Sequence, residues 1–129
     1  MTDTYDVISI EDDLDQFELI RATLKDLPLE LRHAATGEEA VELIRAGAPD
    51  LLITDITLPD MRGWDVLDMM ASEGGALAGT PVLVLTSHRE APHRIIGKLQ
   101  EVAVYMNKPF EPRALAGKVQ ELLGLAETA

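Results

Sequence analysis

The chain has 129 residues, 47% of them hydrophobic and 26% charged, and no cysteine. That length is one domain, able to bury roughly 65–70% of its unfolded surface without a covalent staple, and the missing cysteines exclude disulfides, thiolate zinc sites and cysteine nucleophiles. Its 11 basic against 23 acidic residues give a net charge of −12, which repels phosphate backbones and argues against direct nucleic-acid binding.

Asp6–Ile10 is a short, mostly apolar run that ends abruptly in Glu11, Asp12 and Asp13, and it reads as the first strand. From there Leu14, Phe17, Ile20, Leu24 and Leu27 recur at helical spacing. Asp13 is placed to cap this helix, with Gln16 three residues on, and Pro28 stops it. Leu29–Ala34 is a weak second strand. Thr36-Gly37-Glu38-Glu39 is a capping box, with Thr36 at the N-cap and Glu39 reaching back. The helix it opens carries Ala40, Val41, Leu43 and Ile44 as its buried stripe; Gly47 caps its end and Pro49 stops it. Leu51–Thr54 is an uninterrupted apolar-type strand ending at Asp55, the pattern of a parallel sheet covered on both faces.

Ile56–Arg62 is a loop containing Pro59, and Gly63 opens a third helix carrying Val66, Leu67 and Met70. Gly74, Gly75 and Gly79 make the next connection. Pro81–Leu85 is a fourth strand ending at Thr86 and Ser87. Ala91–Leu99 is a weaker fourth helix, its propensity lowered by Gly97. Val102–Met106 is the fifth strand, ending near Lys108-Pro109, and Glu111–Leu123 is the last helix, with Leu115, Val119, Leu122 and Leu123 on one side. Five strands alternating with five helices give a doubly wound α/β sandwich around a parallel sheet, with no repeat, low-complexity tract or linker. The opening MTDTYD is acidic and polar, unlike a signal peptide. Apolar runs such as Leu51–Ile53 and Val82–Leu85 fall far short of the ~18 residues of a membrane span. A cytoplasmic protein without membrane contact is expected.

In an open parallel sheet, ligands bind beyond the carboxyl ends of the strands. Here strand one delivers Glu11, Asp12 and Asp13 to that rim, strand three Asp55, strand four Thr86 and Ser87, and strand five Lys108. Taken singly, Glu11 and Asp12 are ordinary charges at a helix N-terminus, and Asp13 is accounted for as a cap. Together, carboxylates a few ångströms apart repel by about 4 kcal/mol per pair at 4 Å in an effective dielectric near 20. One acid takes up a proton, or a divalent cation binds. Oxygen ligands with room for water suit Mg²⁺, and Mg²⁺ beside a carboxylate, a lysine and a hydroxyl is an arrangement for phosphoryl transfer. Asp55 is the natural nucleophile.

These residues resemble the receiver domains of two-component response regulators, over nearly the full chain. The motifs that carry the resemblance are VISIEDD, LLITDITLPDMRG, PVLVLTS and YMNKPF, in that order and each at a strand end. It implies a single receiver domain over 1–129, with its core at about 5–124, in a flavodoxin-like fold of strand order 2-1-3-4-5, like that of the stand-alone chemotaxis regulators. It implies Asp55 as phosphoacceptor and Glu11, Asp12 and Asp55 as Mg²⁺ ligands, with the backbone carbonyl of Thr57 completing the shell. Lys108 and Thr86 are the catalytic partners; Thr86 and Tyr105 are the switch pair. The implied reaction takes a phosphoryl group from a sensor histidine kinase, or a small phosphodonor, onto Asp55. Hydrolysis of the acyl phosphate follows, so the domain catalyses its own modification without being a conventional enzyme. The output is a change of protein contacts with an unidentified downstream partner.

The chain departs from the family pattern in places. Glu101-Val102-Ala103-Val104 stands where Gly-Ala-Asp-Asp is frequent, which removes acids common in interface ion pairs and leaves a homodimer open. Arg62 replaces a frequent acid, and Asn107 before the lysine is unusual. Arg89, His93 and Arg94 form a basic spot on the fourth helix; with the face toward the fifth helix it is the expected docking patch. His33, His88 and His93 have no ligand spacing with carboxylates and read as ordinary residues. The rival readings are a docking module that is never phosphorylated, disfavoured by the complete acid, hydroxyl and lysine set, and a phosphorelay intermediate. A Mg²⁺-dependent phosphohydrolase would present a second acid where Thr57 stands, and no glycine fingerprint for a nucleotide follows the first strand.

Overall fold

The apolar runs between helices become neighbouring strands of one parallel sheet. A computed structural model describes residues 4–55, 80–86, 104–107 and 110–124. Its strands are β1 (Tyr5–Ile10), β2 (Leu29–Ala34), β3 (Leu51–Asp55), β4 (Val82–Thr86) and β5 (Val104–Asn107). They pair in parallel in the order β2-β1-β3-β4-β5, the expected order. Three helices fall within the described residues: α1 (Leu14–Leu24), α2 (Gly37–Ala46) and α3 (Pro112–Leu123). The helices expected from Gly63 and over Ala91–Leu99 lie outside them. No helix among the described residues is long and apolar enough to cross a membrane.

Side chains alternate across a strand, so each strand serves two layers. Val7, Leu51, Ile53, Leu83 and Leu85 share one cluster with Ile20 and Leu24 of α1 and Leu115, Val119 and Leu123 of α3. The intervening residues Ile8, Ile10, Leu52, Val82 and Val84 are equally buried, as continuous apolar strands require of a sheet covered on both faces. α2 packs on β1 and β2 and buries Ala40, Val41 and Ile44.

The caps follow the sequence with two adjustments. Asp13 Oδ1 accepts from the backbone N–H of Asp15 (3.0 Å) and Gln16 (3.4 Å), and Thr36 Oγ1 accepts from Glu39 N–H (3.1 Å). Glu39 reaches back one residue further than a capping box requires, taking the N–H of Ala35 (3.0 Å). Leu14, counted in the apolar series, is 62% exposed; as the first helical residue after the Asp13 cap it precedes the point where α1 settles on the sheet at Phe17. Gly124 ends α3 at φ 71°, a left-handed conformation that favours glycine.

At the amino-terminal edge of the sheet, Arg32 of β2 donates from Nε to Asp6 Oδ1 (2.9 Å) and from Nη2 to Asp6 Oδ2 (2.6 Å). It also reaches the carbonyl of Gly47 (3.3 Å). Asp50 holds the same strand end, accepting from Asp6 N–H (2.8 Å) and donating its own N–H to Asp6 O (2.7 Å). This fork ties β1, β2 and the end of α2 together at the pole opposite the carboxyl rim.

Ser9, the penultimate residue of β1, is fully buried, and its Oγ makes no hydrogen bond among the described residues. A buried hydroxyl without a partner keeps its desolvation cost. Ser9→Ala is expected to raise stability by about 1 kcal/mol, read as a higher urea midpoint at unchanged slope; a loss of that size would reveal a partner for the hydroxyl.

Candidate functional site

β1 runs out of ladder at Glu11, whose N–H donates to Ala34 O of β2 (2.9 Å). The chain must then turn at once, because Asp13 is already the cap of α1. Glu11 stabilises the turn by accepting the N–H of Asp13 at Oε2 (3.3 Å). β3 lies beside β1 with Ile10 opposite Thr54, so Asp55 arrives one step beyond, at the level of Glu11. Thr54 is buried and its hydroxyl donates to the carbonyl of Asp55 (2.9 Å), which fixes the backbone where β3 leaves the sheet.

Three sequence-predicted residues meet here. Glu11, Asp12 and Asp55 each offer a carboxylate oxygen, and these oxygens lie within 4.8 Å of one another. Glu11 is 1% exposed, Asp55 is half-buried and Asp12 faces solvent. At that separation each pair of charges repels by about 3 kcal/mol in an effective dielectric near 20. A divalent cation converts the repulsion into attraction. Oxygens on opposite sides of one Mg²⁺ are roughly twice 2.1 Å apart, so this set can share one ion directly or through a water the ion retains. An all-oxygen donor set open to solvent on one side suits the hard cations.

The other expected members are only partly placed. Thr86 is the last residue of β4, in register with Asn107 at the end of β5, and Asp55 is in register with Leu85. The side chains of Thr86 and Tyr105 lie outside the described residues. So do Lys108, Thr57 and the basic cluster of Arg89, His93 and Arg94. The backbone register does bring β3, β4 and β5 to a common carboxyl edge, one residue short of Lys108.

His33, an ordinary residue by its sequence, lies directly behind Glu11. His33 of β2 stacks on Phe17 of α1, ring centroids 3.9 Å apart and 17° from parallel. Its Nε2 lies 2.7 Å from the carbonyl oxygen of Glu11. No ligand spacing marks it, because its partners are 16 and 22 residues away.

The sequence profile described as the response regulator receiver domain matches residues 7–120. The transcriptional regulatory protein CusR of Escherichia coli K12 is 32% identical over 117 residues, covering 91% of this chain and 50% of CusR. The chain thus spans about half the length of the curated relatives it matches. The non-phosphorylated receiver domain of HemR from Leptospira biflexa superposes with a TM-score of 0.81 at 26% identity, covering 98% of this chain and 99% of that one. The receiver domain of the sensor histidine kinase PA1611 from Pseudomonas aeruginosa, solved with a magnesium ion coordinated in its active-site cleft, shares the fold at a TM-score of 0.80 and 22% identity, over 94% of this chain and 98% of that one.

Proposed function

This chain belongs to the response regulator receiver domain family, and on that footing we propose that it takes a phosphoryl group from a histidine kinase onto Asp55 and changes its protein contacts as a result. The observation that carries the reading is the meeting of Glu11, Asp12 and Asp55 at one strand-end rim. Glu11, Asp12, Asp55 and the backbone carbonyl of Thr57 would hold Mg²⁺, in keeping with the metal described for the receiver of PA1611. When bound, the ion neutralises phosphoryl oxygens as charge shifts among them.

The chain's own residues supply the rest. A carboxylate oxygen of Asp55 attacks phosphorus in line with the leaving group. For a phosphohistidine donor, an O–P bond forms as the P–N bond breaks, and the electron pair stays on the donor imidazole. Lys108 and the Thr86 hydroxyl neutralise and hold the phosphoryl oxygens, and Thr86 with Tyr105 shifts a two-state equilibrium toward the signalling form. The surface around residues 89–94 is the proposed docking patch for the downstream protein. Transcriptional control is named for CusR, a protein about twice the length of the matched segment; the net charge of −12 speaks against DNA contact by these residues themselves. A cytoplasmic location follows from the partnership with a kinase.

The test is incubation of the intact chain with a small acyl phosphate and Mg²⁺. One hydroxylamine-labile phosphoryl adduct is expected by intact mass, mapping to the peptide containing Asp55 and lost when Mg²⁺ is chelated. An adduct on another residue, or one indifferent to chelation, would refute the assignment.

A further inference from the structure

Glu11 and Asp12 are consecutive, so the peptide unit between them sets how their two carboxylates are presented. Both backbone polar groups of Glu11 are held by β2: its N–H donates to Ala34 O at 2.9 Å, and its carbonyl meets His33 Nε2 at 2.7 Å. A carbonyl oxygen only accepts, so Nε2 must carry the proton in this bond. The imidazole cannot swing away easily. Its face lies on Phe17, 3.9 Å between centroids, and Phe17 is itself buried in α1. α1 begins immediately after the two acids, capped by Asp13. His33 therefore links the strand, the acid-bearing turn and the helix through one ring.

We propose that His33 is a positioning residue for the cation site: by donating Nε2–H to the carbonyl of Glu11 it fixes the peptide plane between Glu11 and Asp12, and so the approach of both carboxylates to a divalent cation. This rests on the reading of Glu11, Asp12 and Asp55 as the cation site. The stack on Phe17 holds the ring in place, and the N–H holds the peptide plane. Partners that orient metal-binding groups from behind typically contribute 10–100-fold in affinity.

The experiment measures Mg²⁺ affinity of the whole chain by calorimetry, with no phosphodonor present. His33→Phe keeps a ring on Phe17 but removes the donor, and affinity is expected to fall about tenfold. His33→Gln restores an N–H at similar reach and is expected to bind within about threefold of wild type, a rescue that mere packing would not produce. Asp12→Asn is the control for the parent reading and is expected to bind at least tenfold more weakly than wild type. If His33→Phe binds like wild type, or His33→Gln is as weak as His33→Phe, the positioning role is overturned while the cation site stands. If wild type does not bind, or Asp12→Asn binds like wild type, the cation site falls and the positioning role falls with it. Should His33→Phe not fold, nitrogen NMR of the wild-type imidazole decides: a protonated Nε2 is expected, and a bare Nε2 with the proton on Nδ1 overturns the bond.

Discussion

Asp55→Asn is expected to abolish phosphoryl uptake, with incorporation from a small acyl phosphate down by more than about a hundredfold, since on the proposed reading removal of the covalent nucleophile leaves the other groups nothing to act on. The amide is nearly the same size as the carboxylate but lacks its charge and nucleophilicity. It should leave the fold intact, because the change relieves rather than creates strain at the rim. Glu11, Asp12 and Asp55 present oxygens within 4.8 Å of one another, and neutralising one member removes two repulsive pairs. In Mg²⁺-free buffer the variant is therefore expected to melt no lower than wild type. Lost phosphorylation with a retained or raised melting temperature is the signature of the missing nucleophile. A variant that still accepts the group at the wild-type rate would show that the acceptor lies elsewhere.

Ile53→Ala is the substitution with the largest expected effect on stability. Ile53 is 1% exposed on β3, the middle strand of the sheet, and belongs to the cluster that joins β1 and β4 to α1 and α3. Truncation removes three carbons from a cluster held between the sheet, α1 and α3, so the void closes poorly. Large-to-alanine changes at such positions cost about 2–5 kcal/mol, and a central-strand site bounded on both sides belongs in the upper half of that range. This is a large share of the roughly 5–15 kcal/mol that holds a domain folded. Urea denaturation should give a much lower midpoint with an unchanged slope. Leu19→Ala makes the comparison: Leu19 is 42% exposed on α1, and its loss should fall within about 0.5 kcal/mol. Equal costs at the two positions would mean that the α1–sheet–α3 cluster is not the main source of stability.

Much of the architecture is written locally. Strand β2 runs over the expected Leu29–Ala34. α2 opens at the Thr36 cap, and β3 ends on the residue where the apolar run gives way to Asp55. Caps and periodicity are legible because they involve residues within a turn of one another. The acids at the strand ends were legible for a related reason: a parallel sheet sends every strand's carboxyl end to the same edge. Lys108 and Thr57, which complete the expected set, lie outside the described residues.

Leu14 and His33 mark where local reading stops. Leu14 fits the helical apolar series yet stands in solvent, because burial depends on where α1 first touches the sheet. His33 had no motif at all, and its role emerges only when β2 lies beside β1 and α1 folds back over both. Among the described residues, the amino-acid order by itself determined the sequence of strands and helices, the caps, and the delivery of Glu11, Asp12 and Asp55 to one edge. Only the tertiary structure decided that those three carboxylates come within reach of a single ion and that an imidazole 22 residues away in the chain grips the backbone between two of them. Interactions of that kind depend on strand register and helix docking, which no short stretch of sequence encodes.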